Sequence, residues 1–321
     1  MPHRSRQPVS RRELIKLGVI AGAASLAGRT AFSAASGPQA SALITRPIPS
    51  TGENLPIVGL GTNNYSPATP EERAARRAVL QRMPELGGSV VDTAPAYRQS
   101  ETVLGELMAE LDNRRRFFLA TKVTAPGGDA QRGAEMMAES LRRLRTDHVD
   151  LMQVHNLDGV EVLMPALREG KAAGRFRYVG ITTSSNDAHA RMAEYLRRLP
   201  LDFIQVDYSI DNRAAAEKVL PLAQERGLGV LVNLPLGGRR DGNLLRRLSG
   251  KDLPPWAGDI DASSWAQLLL KYVIAHPAVT VAIPGTTKVQ HLEDNQAAGR
   301  GRLPDAAMRR RMEAWWDSTF A

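Results

Sequence analysis

The sequence predicts an α/β protein, a closed parallel (β/α)8 TIM barrel with a short N-terminal hairpin and a C-terminal helix. From residue 57 onward, short apolar runs of strand type alternate with longer segments of helical period. Eight such alternations fill about 240 residues, which suits a closed barrel better than an open sheet. Titratable side chains also end three successive apolar runs, as expected where the carboxyl ends of barrel strands meet.

The elements can be placed in chain order. Residues 42–56 carry a turn signal at Ser50-Thr51-Gly52, which predicts a hairpin that closes the barrel floor. Helix candidates include 71–86, 130–144 and 214–226, and Trp315 and Trp316 are expected to pack a final helix on the barrel. The predicted strands are IVGLGT (57–62), SVVDT (89–93), FFLAT (117–121), VDLMQVH (149–155), FRYVGIT (176–182), FIQVDYS (203–209), GVLVNLP (229–235) and VTVAIPG (279–285).

A doubly wound nucleotide-binding sheet is the main alternative architecture. It requires a glycine-rich phosphate turn after a strand, and the nearest match is GLGTNN at 59–64. That segment lacks the third glycine, and no acidic residue follows a strand about 20 positions further on. The barrel is therefore the favoured fold.

Four chemically different side chains, Asp92, Tyr97, Lys122 and His155, lie at or just past the ends of three successive predicted strands. An unperturbed tyrosine titrates near pH ~10, so it donates a proton poorly at neutral pH. An ammonium about 4 Å away favours the phenolate by up to ~4 kcal/mol at an effective dielectric of about 20. We therefore expect Lys122 to lower the pKa of the Tyr97 phenol.

Together the four residue types indicate proton transfer. Tyr97 is the expected acid (or base in reverse), and Asp92 is the expected partner that holds Lys122 charged. His155 is expected to orient a carbonyl oxygen or to relay a proton. The set contains no strong nucleophile and no metal cage, so it points to carbonyl–alcohol chemistry with a hydride donor.

The first 36 residues differ from the rest of the chain. Arg11 and Arg12 precede an apolar run, Leu17 to Ala27, and small residues follow through Ser36. That run is too short to cross a hydrocarbon core ~30 Å thick, so no stable membrane insertion is expected after cleavage. SRRELIK resembles a twin-arginine export signal. We expect residues 1–36 to engage the twin-arginine export machinery and residues 44–321 to form a periplasmic barrel, which stays cytoplasmic if the signal is not used.

Charge and composition exclude two further classes. Of the net charge of +8, residues 1–36 account for +5, with six cations against one carboxylate. The remaining +3 is spread over helices and forms no stripe, so no nucleic-acid partner is expected. The absence of cysteine excludes disulfides, thiolate metal sites and cysteine nucleophiles.

From about Ile44 to Asn295 the sequence resembles the aldo-keto reductases. The resemblance rests on an ordered set of motifs: IVGLGTNN, DTAPAY followed by SETVLGELM, FLATK, DLMQVHN, YVGITTSS, IQVDYSI and IPGTTKVQHLEDN. It implies an eight-stranded barrel that reduces a small aldehyde or ketone to an alcohol, or the reverse. The implied cofactor is NADPH/NADP⁺, with NADH less favoured.

The resemblance also implies which residues hold the dinucleotide across the barrel mouth. Thr182, Thr183 and Gln205 match positions that contact the nicotinamide amide, and Lys288 and His291 are the groups available to a ribose 2′-phosphate. The backbone at the start of the helix in the IPGTTK segment suits a phosphate. The full implied set is Gly61, Thr62, Asn63, Thr182, Thr183, Gln205, Asn233, Pro235, Leu236, Gly237, Ile283, Gly285, Thr286, Thr287, Lys288, His291 and Asn295.

Two positions depart from the family pattern. Asn233 stands where many members stack an aromatic ring on the nicotinamide, and an amide offers no such face. Arg98 follows Tyr97 where a small residue is common, and it either meets an anionic substrate or points to solvent. The substrate itself is left open, with the four tryptophans as candidates for an aromatic pocket wall: Trp256, Trp265, Trp315 and Trp316.

Two functions of different class fit these features. The first is an exported NADPH-linked carbonyl reductase or alcohol dehydrogenase. The second is an exported cofactor-holding binding or sensor protein with slow turnover, since no nicotinamide pool is expected outside the cytoplasm to recharge an enzyme. The intact set of four polar residues favours the enzyme.

Overall fold

The computed structural model describes residues 42–238 and 243–320. All of them fall within one compact unit. The predicted export signal, residues 1–36, lies outside the described residues. Within the described part of the chain, no helix has the length and apolar character needed to cross a membrane.

The predicted N-terminal hairpin is present. Strands β1 (Thr45–Pro47) and β2 (Asn54–Pro56) pair antiparallel. Gly52 in the connecting turn has a φ of 75°, a left-handed conformation that glycine adopts without steric cost. Ile48 and Leu55 of this segment are buried in the apolar cluster inside the barrel. The hairpin therefore closes the floor of the barrel, as predicted.

Eight parallel strands follow, and each is hydrogen-bonded to the next in chain order. The ring closes where Gly59 N donates to Ala282 O at 2.8 Å and Gly61 N donates to Pro284 O at 3.1 Å. The predicted (β/α)8 fold is thus confirmed. The strands are β3 (Leu60–Gly61), β4 (Val90–Asp92), β5 (Phe118–Val123), β6 (Val149–Val154), β7 (Phe176–Thr182), β8 (Phe203–Asp207), β9 (Gly229–Asn233) and β10 (Val281–Ala282).

The barrel interior has an apolar lower part and a polar upper part. Since side chains alternate across a strand, residues two apart on one strand share a face. Four polar residues lie at the carboxyl ends of their strands, each two positions after an apolar residue of the interior: Asp92, Lys122, Gln153 and Gln205. The apolar interior consists of Ile48, Leu55, Val90, Phe118, Ala120, Leu151, Tyr178, Phe203, Leu231, Val281 and Ile283.

The helices cover the outside of the barrel. Helix α1 starts where the hydroxyl of Thr69 accepts a hydrogen bond from Glu72 N at 3.2 Å, with Pro70 in its first turn. The α-helices are α1 (Pro70–Glu85), α2 (Ser100–Glu110), α3 (Ala130–Arg143), α4 (Val160–Ala172), α5 (His189–Arg198), α6 (Val219–Glu225), α7 (Leu244–Arg247), α8 (Trp265–Ile274), α9 (Val289–Ala297) and α10 (Ala306–Phe320). The last one buries Met312 and Trp316, as expected for the C-terminal helix.

One predicted helix is interrupted. The pattern at 214–226 predicts a single helix, whereas the structure has a 3-10 turn at Ala214–Ala216 and then α6. Pro221 has no backbone N–H, so a helix accommodates it without a lost hydrogen bond only in the first turn. Accordingly α6 begins at Val219, two residues before the proline.

Candidate active site

A buried ion pair lies at the centre of the barrel mouth. Lys122 Nζ donates to Asp92 Oδ2 at 2.6 Å and to Thr93 O at 2.8 Å. The two side chains are only 1% and 2% exposed. Burial works against charge on Lys122, but Asp92 and Tyr97 outweigh it and raise the pKa of the ammonium above its usual value. Lys122 is therefore charged throughout the physiological pH range.

A set of buried hydroxyls fixes the backbone that carries Asp92. Thr62 donates to Asp92 O both from its hydroxyl, at 2.8 Å, and from its backbone N–H, at 3.1 Å. Ser100 Oγ donates in turn to Thr62 O at 2.7 Å and lies 3.2 Å from Thr93 Oγ1. Thr62, a predicted cofactor contact, thus uses its side chain to position the end of β4.

Tyr97 and His155 complete the group above the ion pair. Tyr97 lies in the turn after β4, where its N–H donates to Ala94 O at 3.0 Å. Lys122 Nζ is 5.1 Å from the centre of the Tyr97 ring. The His155 ring stands edge-on to Tyr97, with 6.1 Å between ring centres. The structure therefore brings all four predicted catalytic residues together.

The electrostatics differ from the prediction in one respect. Burial raises the pKa of the Tyr97 phenol above its usual value, and the Lys122 ammonium opposes this rise without reversing it. The predicted net lowering by Lys122 is therefore wrong, because burial has the larger effect. Burial, assisted by Lys122, also lowers the pKa of His155 to about 4. At neutral pH the site thus holds a protonated phenol and an uncharged imidazole.

A cavity of about 260 Å³ opens beside Tyr97 and Asp92. Its walls come from the loops after β3, β7, β9 and β10. Ser184, Asn64 and Asn243 line it without having been predicted. The predicted cofactor contacts that line it are Gly61, Thr62, Asn63, Gln205, Asn233, Pro235, Leu236, Gly237, Ile283 and Gly285.

Two predicted contacts on β7 and its loop have other partners. The Thr182 hydroxyl accepts a hydrogen bond from Asn156 N at 3.4 Å, and the Thr183 hydroxyl accepts one from Ser185 N at 3.0 Å. Both side chains are buried and neither lines the cavity. Ser184, between Thr183 and Ser185, is the residue of this loop that lines it. The hydroxyls of Thr182 and Thr183 serve the loop structure because short polar side chains bond to nearby backbone.

The remaining predicted contacts lie around the start of α9, outside the cavity walls. The Thr286 hydroxyl accepts a hydrogen bond from Lys288 N at 3.2 Å, just before the helix begins. The Lys288 and His291 side chains are exposed, whereas Asn295 is buried within α9. Like these four, Thr287 is absent from the cavity walls.

A family model described as "Aldo/keto reductase family" matches residues 57–315. The chain belongs to the aldo/keto reductase family. As an aldo/keto reductase it is an oxidoreductase, and the resemblance read from the motifs is confirmed at the level of the family.

Relatives and solved structures agree with this placement. A methylglyoxal reductase of Escherichia coli (strain K12) is 32% identical over 265 residues, which cover 79% of this chain and 89% of the relative. An aldo-keto reductase from Klebsiella pneumoniae, solved in complex with NADPH, is 29% identical with a TM-score of 0.66 and coverage of 82% and 92%. The holo form of an aldo-keto reductase from Bacillus halodurans is 26% identical, with a TM-score of 0.68 and coverage of 85% and 96%.

Two features of this aldo/keto reductase concern the substrate side. Arg98 is exposed and has a left-handed φ of 55°, which is uncommon for a residue with a Cβ. In the described residues the four tryptophans do not form the predicted aromatic pocket wall, because they pack on one another and on the C-terminal helix. Trp265 stacks on Trp315 at 5.4 Å, and none of the four lines the cavity.

Sequence reasoning missed Gln153, which is fully buried in the polar upper part of the barrel. Its side chain donates to Gln205 Oε1 at 3.0 Å. The alternation of Leu151, Gln153 and His155 along β6 was the available signal, since it places Gln153 on the same face as His155.

Removing the buried ammonium tests the ion pair. Lys122→Met leaves the Asp92 carboxylate buried and unpaired, so we expect the free energy of unfolding to fall by about 3–5 kcal/mol, with loss of catalysis. The matched control is Lys171→Met, because Lys171 bonds Asp202 at the same 2.6 Å but is 41% exposed. That change should cost no more than about 1 kcal/mol in urea unfolding. Equal losses in the two variants would show that burial of the Asp92–Lys122 pair has no special effect.

Proposed function

We propose that this aldo/keto reductase reduces the carbonyl group of a small aldehyde or ketone to an alcohol with NADPH. The observation that carries the proposal is the protonated Tyr97 phenol, whose raised pKa reflects its burial, held beside the charged Lys122 and the neutral His155. A proton donor must be protonated at the working pH, and a phenol with a raised pKa meets that condition.

The cavity fits the amide of a nicotinamide ring. Two residues that line it, Asp92 and Asn233, each have a buried acceptor atom, Oδ1, that receives no hydrogen bond within the described structure. A Cβ at Gly61 would approach Ile283 O to 2.9 Å, so only glycine leaves the backbone free to line the cavity there. When bound, the nicotinamide supplies a hydride. Gln205 and Asn233 are the residues we assign to hold the ring, and Lys288 and His291 those we assign to the 2′-phosphate.

Two solved structures of aldo-keto reductase from Klebsiella pneumoniae support NADP(H) as the cofactor. One was solved with NADPH, and the other, 27% identical, with NADP and acetate. For this chain the roles then divide as follows. His155, uncharged, orients the carbonyl oxygen by a hydrogen bond, and Tyr97 gives that oxygen its proton while the carbonyl carbon accepts the hydride. Lys122 stabilises the phenolate that remains, and solvent returns the proton.

The acid role of Tyr97 has a direct test. Tyr97→Phe removes the proton donor but keeps the ring, so we expect kcat for aldehyde reduction to fall about 100-fold or more. NADPH affinity, measured by fluorescence titration, should stay within about threefold of wild type, a change of under 1 kcal/mol, because the aromatic ring is kept. The same titration with NADH should show weaker binding. Tyr195→Phe, a change in a tyrosine of α5, is the control and should keep full activity. A Tyr97→Phe enzyme within tenfold of wild type would remove the phenol from the acid role.

We also propose that the protein is exported by the twin-arginine route, which carries folded proteins. The proposal is supported by Arg11 and Arg12 before the short apolar run at 17–27. Replacing both arginines by lysine should leave an active precursor in the cytoplasm, because those residues are not needed for the barrel to fold. Wild type should be found in the periplasm, shortened by about 30–36 residues, as expected for a cleaved signal. Full-length wild type in the cytosolic fraction would reject the export proposal while leaving the reductase proposal intact.

A further inference from the structure

A second buried polar pair lies beside the Asp92–Lys122 ion pair. Gln153 Nε2 donates to Gln205 Oε1 at 3.0 Å, and these two glutamines are 0% and 1% exposed. Gln153 on β6 lies directly opposite Lys122 on β5 in the strand register. The two pairs therefore occupy the same level of the barrel interior, and together they form its polar upper part.

The bond from Gln153 determines how the Gln205 amide is turned. A glutamine amide has one accepting oxygen and one donating NH₂ group. Because Gln205 Oε1 already accepts from Gln153, its NH₂ group is on the opposite side of the amide. Burial raises the pKa of Asp92, and Lys122 and, to a smaller extent, the Gln205 side chain oppose that rise. If Gln153 offered no donor, nothing at Gln205 Oε1 would prevent the amide from turning over.

The direction of the amide matters because the surrounding acceptors are short of donors. Asp92 Oδ1 and Gln153 Oε1 are buried and accept no hydrogen bond in the described structure. An amide oxygen turned towards Asp92 would place two acceptors together in a region closed to water, at a cost of about 1–3 kcal/mol. The turned amide oxygen would disfavour the negative charge on Asp92. The Lys122 ammonium would then be held less firmly beneath Tyr97.

We propose that Gln153 is a positioning residue of the reductase site: by donating to Gln205 Oε1 it fixes the Gln205 amide with its NH₂ group towards Asp92, which keeps the Asp92–Lys122 pair ordered beneath Tyr97. Gln153 touches neither the Tyr97 phenol nor the cavity, so it acts only through Gln205. The kinetic consequences of this proposal rest on the proposed reductase function, whereas the orientation of the Gln205 amide by Gln153 does not depend on it.

Two substitutions at Gln153 separate positioning from packing. Methionine at position 153 has a similar shape to glutamine but no donor. We expect kcat of Gln153→Met to fall about tenfold, because one hydrogen bond is lost. The KM for the carbonyl substrate should stay within about twofold of wild type. Gln153→Glu introduces a carboxyl group at the level of the Asp92–Lys122 pair, in a site whose other titratable groups are Tyr97 and His155. When ionised it only accepts, so the Gln205 amide is forced to turn; when protonated it donates as the original amide does. Its activity relative to wild type should therefore rise as pH falls from about 8 to about 5, the range of a buried carboxyl group.

The control for this pH dependence is Gln267→Glu. Gln267 is likewise a buried glutamine whose amide donates to a side-chain oxygen, that of Asp294 at 2.7 Å, but it lies on α8. Its variant should show the wild-type pH profile, with activities compared at temperatures where circular dichroism shows each protein folded. Gln153→Met with kcat within twofold of wild type, or a Gln153→Glu profile parallel to wild type, would overturn the proposal.

A measurement without substrate keeps this test apart from that of the proposed function. In protein labelled with ¹⁵N-glutamine, the side-chain amide signal of Gln205 can be assigned by its loss in Gln205→Met. We expect that signal to move in Gln153→Met and Gln153→Glu, and to return towards its wild-type position in Gln153→Glu at low pH. An unmoved Gln205 signal in both variants would reject the positioning role even if the wild-type enzyme reduces aldehydes. Conversely, a Gln205 signal that moves in the variants, together with a wild-type protein that reduces no aldehyde, would reject only the reductase function.

Discussion

The buried ion pair between Asp92 and Lys122 is the interaction on which the rest of the site depends. Two charges removed from water pay a desolvation penalty of several kcal/mol each, and only close contact with further hydrogen bonds compensates for it. Here the contact is 2.6 Å, and the carbonyl of Thr93 accepts a second bond from the ammonium. The hydroxyls of Thr62 and Ser100 hold the backbone on the other side. Such a pair is best explained by catalysis, since an apolar pair would fill the space at lower cost.

The barrel supplies the place for this pair. Its floor is sealed by the N-terminal hairpin, and its lower interior is filled by aromatic and aliphatic side chains such as Phe118, Tyr178 and Phe203. Water is excluded from below, and the polar upper level is the first layer that the cavity reaches. In that setting burial has the largest effect on the pKa of each of the two titratable groups above the ion pair, Tyr97 and His155. It raises the pKa of the Tyr97 phenol and lowers that of the His155 imidazole to about 4. Both shifts keep these groups uncharged at neutral pH.

Much of this arrangement could be predicted from the sequence, because strand alternation and strand ends are local properties. The eight strands and the convergence of Asp92, Tyr97, Lys122 and His155 follow from short apolar runs that end in polar residues, and the hairpin follows from its turn signal. What could not be predicted depends on three-dimensional burial. The pKa of Tyr97 moves against the effect of Lys122. The Thr182 hydroxyl bonds to backbone of the loop after β6, and the Thr183 hydroxyl bonds to backbone of its own loop. The tryptophans form a cluster away from the cavity. Gln153 was visible on the correct face of β6, but its bond to Gln205 spans two strands that are not neighbours.

The most direct test of this account is the pH dependence of kcat/KM for aldehyde reduction. In the proposed mechanism the reaction requires a protonated Tyr97, which is lost as pH rises above its raised pKa, and a neutral His155, which is lost as pH falls through about 4. We therefore expect a flat profile between about pH 5 and about pH 9, with an acid limb whose midpoint is near the pKa of His155. A basic limb with a midpoint between about pH 6 and about pH 9 would contradict the account, because it would mean that Lys122 outweighs burial and makes the phenol a readily ionised group.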